Sequence, residues 1–347
     1  GHDVLNGGAG DDLLYGGAGV NRLVGGEGFD TVSYEDATAG VTAWLSFSWN
    51  SDEFQGVEAL SGSAYADDLR GDASDNLLSG NAGNDSLYGA LGHDTLAGGD
   101  GNDHLAGGDG NDTLQGGAGA DTLAGDAGVN SLDGGEGDDV FLGGAGTDAV
   151  QGGAGTDVVS YANASAGVTA SLTGGGLGGE AAGDTYAGIE GLRGTGYDDA
   201  LTSGSQGGAL YGGGGFDQLY GQGGADLLAG EAGADYVTGG AGADTLSGGL
   251  GLDMLNGDAD DDQLSGGDDN DQLDGGEGND VLAGDAGDDY VWGGLGADTV
   301  AGGLGNDLLS GQDGHDRLQG GDGFDQLDGG AGDDTLLGDE GDDYLFG

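Results

Sequence analysis

Aspartate returns every nine residues along most of this chain. The segment GGDGNDHLAGGDGNDTLQGG, residues 98 to 117, sets Asp103 and Asp112 in nearly the same surroundings of glycine and an apolar residue two places on. Carboxylates in such numbers could serve acid–base catalysis or ligate a metal. Adjacent pairs such as Asp11–Asp12 and Asp138–Asp139 have the form of a catalytic dyad, but among 55 aspartates they read as cation ligands or solvated turn residues. The four histidines, His2, His93, His104 and His315, sit at variable places and nothing pairs them, so neither zinc nor a catalytic base is indicated. No G-x-S-x-G elbow occurs, and the one G-x-G-x-x-G match, Gly174 to Gly179, precedes no helical pattern. What remains is a row of hard oxygen donors beside glycines whose carbonyls a tight turn would expose. That is the donor set of a hard divalent cation such as calcium.

The charge balance points the same way. Sixty-five acidic residues face 4 basic ones, Arg22, Arg70, Arg193 and Arg317, for a formal charge of −61. Such an excess disfavours nucleic acid and anionic membrane as partners. No apolar run approaches membrane-spanning length, so neither direct membrane insertion nor a signal peptide is expected, and with 0 Cys there is no disulfide framework. A chain with 92 Gly and this much like charge would stay disordered unless something neutralised it.

The elements that must position these carboxylates follow from the period. Written G-G-x-G-x-D-x-U-x with U apolar, the repeat forms three arrays, with sixth positions at 3 to 30, 67 to 157 and 199 to 343, in all 32 units. The sixth position is Asp except at Asn21, Asn76, Asn130 and Gly208, whereas the eighth is apolar throughout, from Leu5 to Leu345. In a helix nine residues advance about 900°, and in an unbroken strand an odd period flips the face, so neither can bury this pattern. The chain must turn in every repeat, with glycine supplying the turn and x-U-x a very short strand whose apolar side chain points inward. Stacking such strands gives an all-β parallel β-solenoid. Collagen would need Gly at every third residue and abundant Pro. An EF-hand would need Gly and Glu where "DADDDQLSGGDD" at 258 to 269 has Gln263 and Asp269.

The units GGDGNDTLQ, GGAGADTLS and GGEGNDVLA resemble the nonapeptides of the RTX, or haemolysin-type calcium-binding, family. The resemblance implies a right-handed parallel β-roll with two repeats per coil and calcium held between neighbouring turns on one edge. It carries the ligand role to the sixth-position side chains, aided by turn carbonyls. In the first array these are Asp12 and Asp30; in the second, Asp67, Asp85, Asp94, Asp103, Asp112, Asp121, Asp139, Asp148 and Asp157. In the third they are Asp199, Asp217, Asp226, Asp235, Asp244, Asp253, Asp262, Asp271, Asp280, Asp289, Asp298, Asp307, Asp316, Asp325, Asp334 and Asp343. Same-edge neighbours would be Asp85, Asp103 and Asp121, with Asp94 and Asp112 opposite. Gly208 supplies no carboxylate, so sites shared with the turns of Asp199 and Asp226 are expected to be weak. At about one ion per intact repeat, roughly 26 ions would bring about +52 of charge, close to what the chain must neutralise.

Two interruptions separate the arrays, giving segments 1–32, 33–66, 67–159, 160–198 and 199–347. They resemble each other: DTVSYEDATAGVTAWLS aligns with DVVSYANASAGVTASLT, and DEFQGVEALSGSAY with DTYAGIEGLRGTGY. They read as recurring wider coils joining rolls, the second longer through its GGGLGG loop. Val41, Ala43, Leu45 and Phe47 alternate as the inward face of a strand. Trp44, Phe47, Trp49 and Phe54 make the first interruption aromatic-rich; most would plug the coil, while the outward Trp44 could offer a carbohydrate or cell-surface partner a platform.

The expected whole is a non-enzymatic, calcium-binding region of a secreted, extracellular or cell-surface protein, exported by type I secretion and folding where calcium is plentiful. Beginning within a repeat at GHDVL and ending at DDYLFG, it reads as part of a longer parent chain with other domains. The alternatives are the carrier portion of a secreted protease, lipase or epimerase, and the stalk or ligand-binding part of an adhesin. Outward Thr95, Thr113 and Thr122 do not form the unbroken file that an ice-binding face would need.

Overall fold

A computed structural model of the protein describes residues 1–46 and 52–347; Phe47 and Trp49 of the first interruption lie outside the described residues. The chain divides into two compact units, Gly1–Asn163 with Glu180–Ile189, and Ala164–Gly179 with Glu190–Gly347. Each is a parallel β-solenoid with two repeats to the coil. In the first, strand Ser86–Leu91 pairs with His104–Asp109, which pairs with Thr122–Gly128. The register sets Leu87 opposite Leu105 and Leu105 opposite Leu123, each 18 residues on. The intervening repeats form a second sheet in which Leu78, Leu96, Leu114 and Leu132 align.

The eighth position makes the core. Leu87, Leu96, Leu105, Leu114 and Leu123 are wholly buried, as are Leu210, Leu219, Leu228 and Val237 in the second unit. Burying one such side chain is worth about 1.5–3 kcal/mol, and because each repeat offers one, stability has to come from stacking. The position opens at the ends, with Leu5 only partly buried in the first coil and Leu345 46% exposed in the last.

Strands are longer than the three residues the pattern implies. Interior ones run six, through both glycines, as in Thr95–Asp100. The second glycine takes a positive φ, +116° at Gly99 and +118° at Gly117, yet still pairs with its counterpart a coil away. The backbone therefore bends at the second glycine without leaving the sheet. Gly takes that φ at the least cost, although Asn81, Ala90 and Asp285 hold the same place at +74°, +88° and +74°.

The interruptions widen the coil. Within the first, Asp30 and Glu58 become neighbours 28 residues apart, and Val41 and Asp67 at 26. Strand Thr42–Trp44 turns Ala43 and Leu45 inward, as the alternation implied, while Val41 is only partly buried. In the second, Gly175–Gly178 is a strand and not a loop, antiparallel to Thr169–Ser171. It pairs with the side of Thr169–Ser171 that Ala200–Thr202 leaves free, and so covers an otherwise bare edge.

Candidate metal centre

The sixth-position side chains lie at the turn between strands, and the same contact recurs along both edges. Each carboxylate accepts, through Oδ1, the backbone N–H of the sixth-position residue 18 before it. Asp103 accepts from Asp85 at 2.8 Å, Asp121 from Asp103 at 2.7 Å and Asp139 from Asp121 at 2.8 Å. Opposite, Asp94 accepts from Asn76 at 2.7 Å and Asp112 from Asp94 at 2.8 Å. In the second unit Asp199, Asp217, Asp235, Asp253, Asp271, Asp289, Asp307, Asp325 and Asp343 form one such column. Asp226, Asp244, Asp262, Asp280, Asp298, Asp316 and Asp334 form the other.

The second oxygen is what marks the site. Oδ2 is buried and has no hydrogen-bond partner at Asp85, Asp94, Asp103, Asp121, Asp217, Asp271 and fifteen further aspartates. It is tucked against the first glycine of its own repeat and the matching carbonyl of the next coil. A Cβ on Gly98 would collide with Asp103 Oδ2 and stand 2.7 Å from the Gly116 carbonyl oxygen. Two buried acceptors thus lie against the same glycine, and the carboxylate oxygen has no donor. A buried oxygen left so is costly, and for a carboxylate more so.

Electrostatics agree. Burial pushes the carboxyls of Asp121, Asp217, Asp262, Asp271 and Asp307 up to about 7, against the pull of the backbone N–H each accepts. Carboxylates one coil away add to the rise. Protein cations cannot relieve it: the ion pairs among the described residues are Arg22–Glu53, Arg70–Asp68 and Arg193–Glu231, all on partly exposed side chains. Nor do three carboxylate or imidazole side chains converge anywhere among the described residues, so a cation here would draw on backbone carbonyls or water beside the carboxylates. Orphaned carboxylate oxygens and turn carbonyls are hard donors that fit calcium.

The first glycine is therefore fixed by the carboxylate. Every repeat whose first position lies in the chain has Gly there except one, Ser203, and that is the repeat whose sixth residue is Gly208. With no carboxylate in its own turn, a side chain fits. Ser203 Oγ instead lies 2.6 Å from Asp226 Oδ1 and donates into that column. Gly98→Ala is accordingly expected to lower the calcium-saturated stability of its coil by more than about 2 kcal/mol, the scale of a core clash. Hydrogen exchange would locate the loss, and Gly98→Ser in an Asp103→Gly background should be tolerated as at Ser203.

Not every sixth position is alike. Asn21 and Asn130 keep the ladder by accepting from Asp3 and Asp112, but bring an amide nitrogen where Asp brings a bare oxygen. Asp334 and Asp343 are only partly buried. The partner of Gly208 is Asp226; Asp199 pairs with Asp217, because turns on one edge are 18 apart and Asp199 is nine from Gly208. The weakness expected at Asp199 from Gly208 is thereby withdrawn. Asp52, Asp184 and Glu58 also hold sixth-position places, through Asn21 N–H, Asp148 N–H and Asp30 N–H. The shifted register hid them, although the D-x-aromatic of DEF and DTY, two residues from an inward side chain, was a usable signal.

The remaining candidates are structural. His93 and His315 accept backbone N–H groups from Asn111 and Asp333 on the outer turns, and His104 packs edge-on to Tyr88. Trp44 is covered: Arg70 stacks between it and Tyr88, 4.5 Å from each ring, and its Nε1 donates to Asp68 at 3.3 Å. No helix among the described residues is long and apolar enough to cross a membrane.

A parallel β-solenoid that lines both edges with uncompensated carboxylates is a cation-binding β-roll. The chain belongs to the RTX calcium-binding nonapeptide repeat family, whose model matches residues 1–32, 61–96, 97–132, 125–159, 211–246, 238–273, 247–282, 274–309 and 310–345. No curated protein matches it. Among solved structures it is similar to a hyperactive, Ca2+-dependent, β-helical antifreeze protein from an Antarctic bacterium. The two are 21% identical over 89% of this chain and 83% of that one, with a TM-score of 0.21.

Proposed function

We propose that the sixth-position aspartates of the arrays hold calcium between turns 18 residues apart, each ion completed by turn carbonyls. The bound ion supplies positive charge and coordination to carboxylate oxygens that otherwise have no donor. The observation that carries this is the column of buried Oδ2 atoms without partners, repeated at twenty-one aspartates. On this reading the region belongs to a secreted or surface protein, exported unfolded and folding where calcium is plentiful, which its dependence on abundant calcium supports. Its role there is non-catalytic, as the carrier of an adjoining enzyme or the stalk of an adhesin. A carbohydrate platform at Trp44 is less favoured, because Arg70 covers the ring. Equilibrium dialysis should find about twenty calcium ions per chain, fewer than a count of repeats implies. Two or three ions would sink the reading.

A further inference from the structure

The two interruptions treat their buried carboxylates differently from the arrays. Asp184 accepts the Asp148 N–H at 2.8 Å through Oδ1, as an array aspartate would, but its Oδ2 accepts the Tyr161 hydroxyl at 2.6 Å. Asp52 repeats this, taking the Asn21 N–H at 2.6 Å and the Tyr34 hydroxyl at 2.8 Å. Tyr34 and Tyr161 occupy matching places in the aligned interruptions, as do Asp52 and Asp184. The first sixth-position aspartate of the array after each interruption follows suit. Asp67 Oδ2 accepts the Ser63 N–H at 2.6 Å and its Oδ1 the Ser63 hydroxyl at 2.9 Å. Asp199 has the same two donors in Thr195, at 2.6 and 3.3 Å. None of these four aspartates is left with a bare oxygen, in contrast to the interior of the arrays.

Resting on the calcium reading of the array interiors, we propose that the interruptions, together with the Asp67 and Asp199 turns that open the arrays after them, are metal-free joints. At Asp52 and Asp184 a tyrosine hydroxyl, and at Asp67 and Asp199 a backbone amide, fill the Oδ2 valence that an ion fills elsewhere. A donor already in place is preorganised and needs no desolvated ion. Burial keeps both tyrosines protonated, so each remains a donor at any pH the chain meets. The joints thus change coil width without a change in ion count. They also fix where each calcium-dependent stack starts.

Ion positions in calcium-saturated crystals of the full chain test this without any variant. Anomalous peaks are expected at the Asp121 and Asp271 turns and none against Asp52 or Asp184; a peak at Asp184 overturns the proposal. Substitution gives a second reading. Asp184→Asn should leave the number of bound ions unchanged, whereas Asp271→Asn should lower it. An ion lost in Asp184→Asn overturns the joint alone. Folded crystals with no peak at any turn would instead overturn the calcium reading, and the joint with it.

Discussion

Stripped of calcium near neutral pH, the full chain is expected to lose most of its β structure and to regain it with calcium but not with magnesium, as followed by far-ultraviolet circular dichroism. Each site at free calcium of 100 times its Kd contributes about 2.7 kcal/mol, and nothing far below Kd. Summed over the columns this outweighs a core of one apolar side chain per repeat. Magnesium demands a tighter octahedral shell and dehydrates reluctantly, so mixed carboxylate and carbonyl turns serve it poorly. Acid should substitute for calcium in part. A carboxyl with an ordinary value of 3.8 that burial raises to about 7, as at Asp271, favours the folded chain when protonated. That contribution is fully present below 3.8 and is lost as pH rises toward 7, the unfolded chain ionising first. Chelated protein brought from neutral pH toward pH 5 should therefore gain β signal. A chelated chain that is fully folded at neutral pH would refute the argument.

How much of this could be read from the sequence depends on which residues obey the period. The inward Leu and the edge column of Asp follow from nine-residue spacing plus an enforced turn, and Leu87, Leu105 and Leu123 stack as that reasoning requires. The length of the strands did not follow, because nothing in the letters says that a glycine such as Gly99, at φ +116°, can still pair with a neighbour a coil away. Nor did the special standing of the first glycine. Its constraint comes from Asp103 Oδ2 and Gly116 O meeting at one point in space, which a linear pattern records only through the joint exception of Ser203 and Gly208. The interruptions were legible as duplicates and illegible as sites. Tyr161 and Asp184 are 23 residues apart and Asp148 and Asp184 are 36, so no fixed period joins the donor to its carboxylate.

Replacing one array aspartate should act along its own edge only. Asp271 Oδ1 accepts the Asp253 N–H at 2.8 Å, and its Oδ2 shares the space against Gly266 with the Gly284 carbonyl of the following coil. The carboxylate thus faces both same-edge neighbours, the turns of Asp253 and Asp289. Asp271→Ala removes the oxygen from both and leaves the Asp253 N–H buried without an acceptor, a loss of about 1–3 kcal/mol before any ion is counted. On the opposite edge Asp280 still accepts the Asp262 N–H at 2.8 Å, with Leu264, Leu273 and Leu282 filling the interior between. The variant is expected to bind about two fewer ions than the parent chain. In anomalous maps the missing ions should lie beside Asp253 and Asp289, with those at Asp262 and Asp280 at full occupancy. Ions lost instead from turns nine residues away would mean that calcium bridges the two edges. The paired oxygens, held 18 residues apart along each column, could then not be the ligand set.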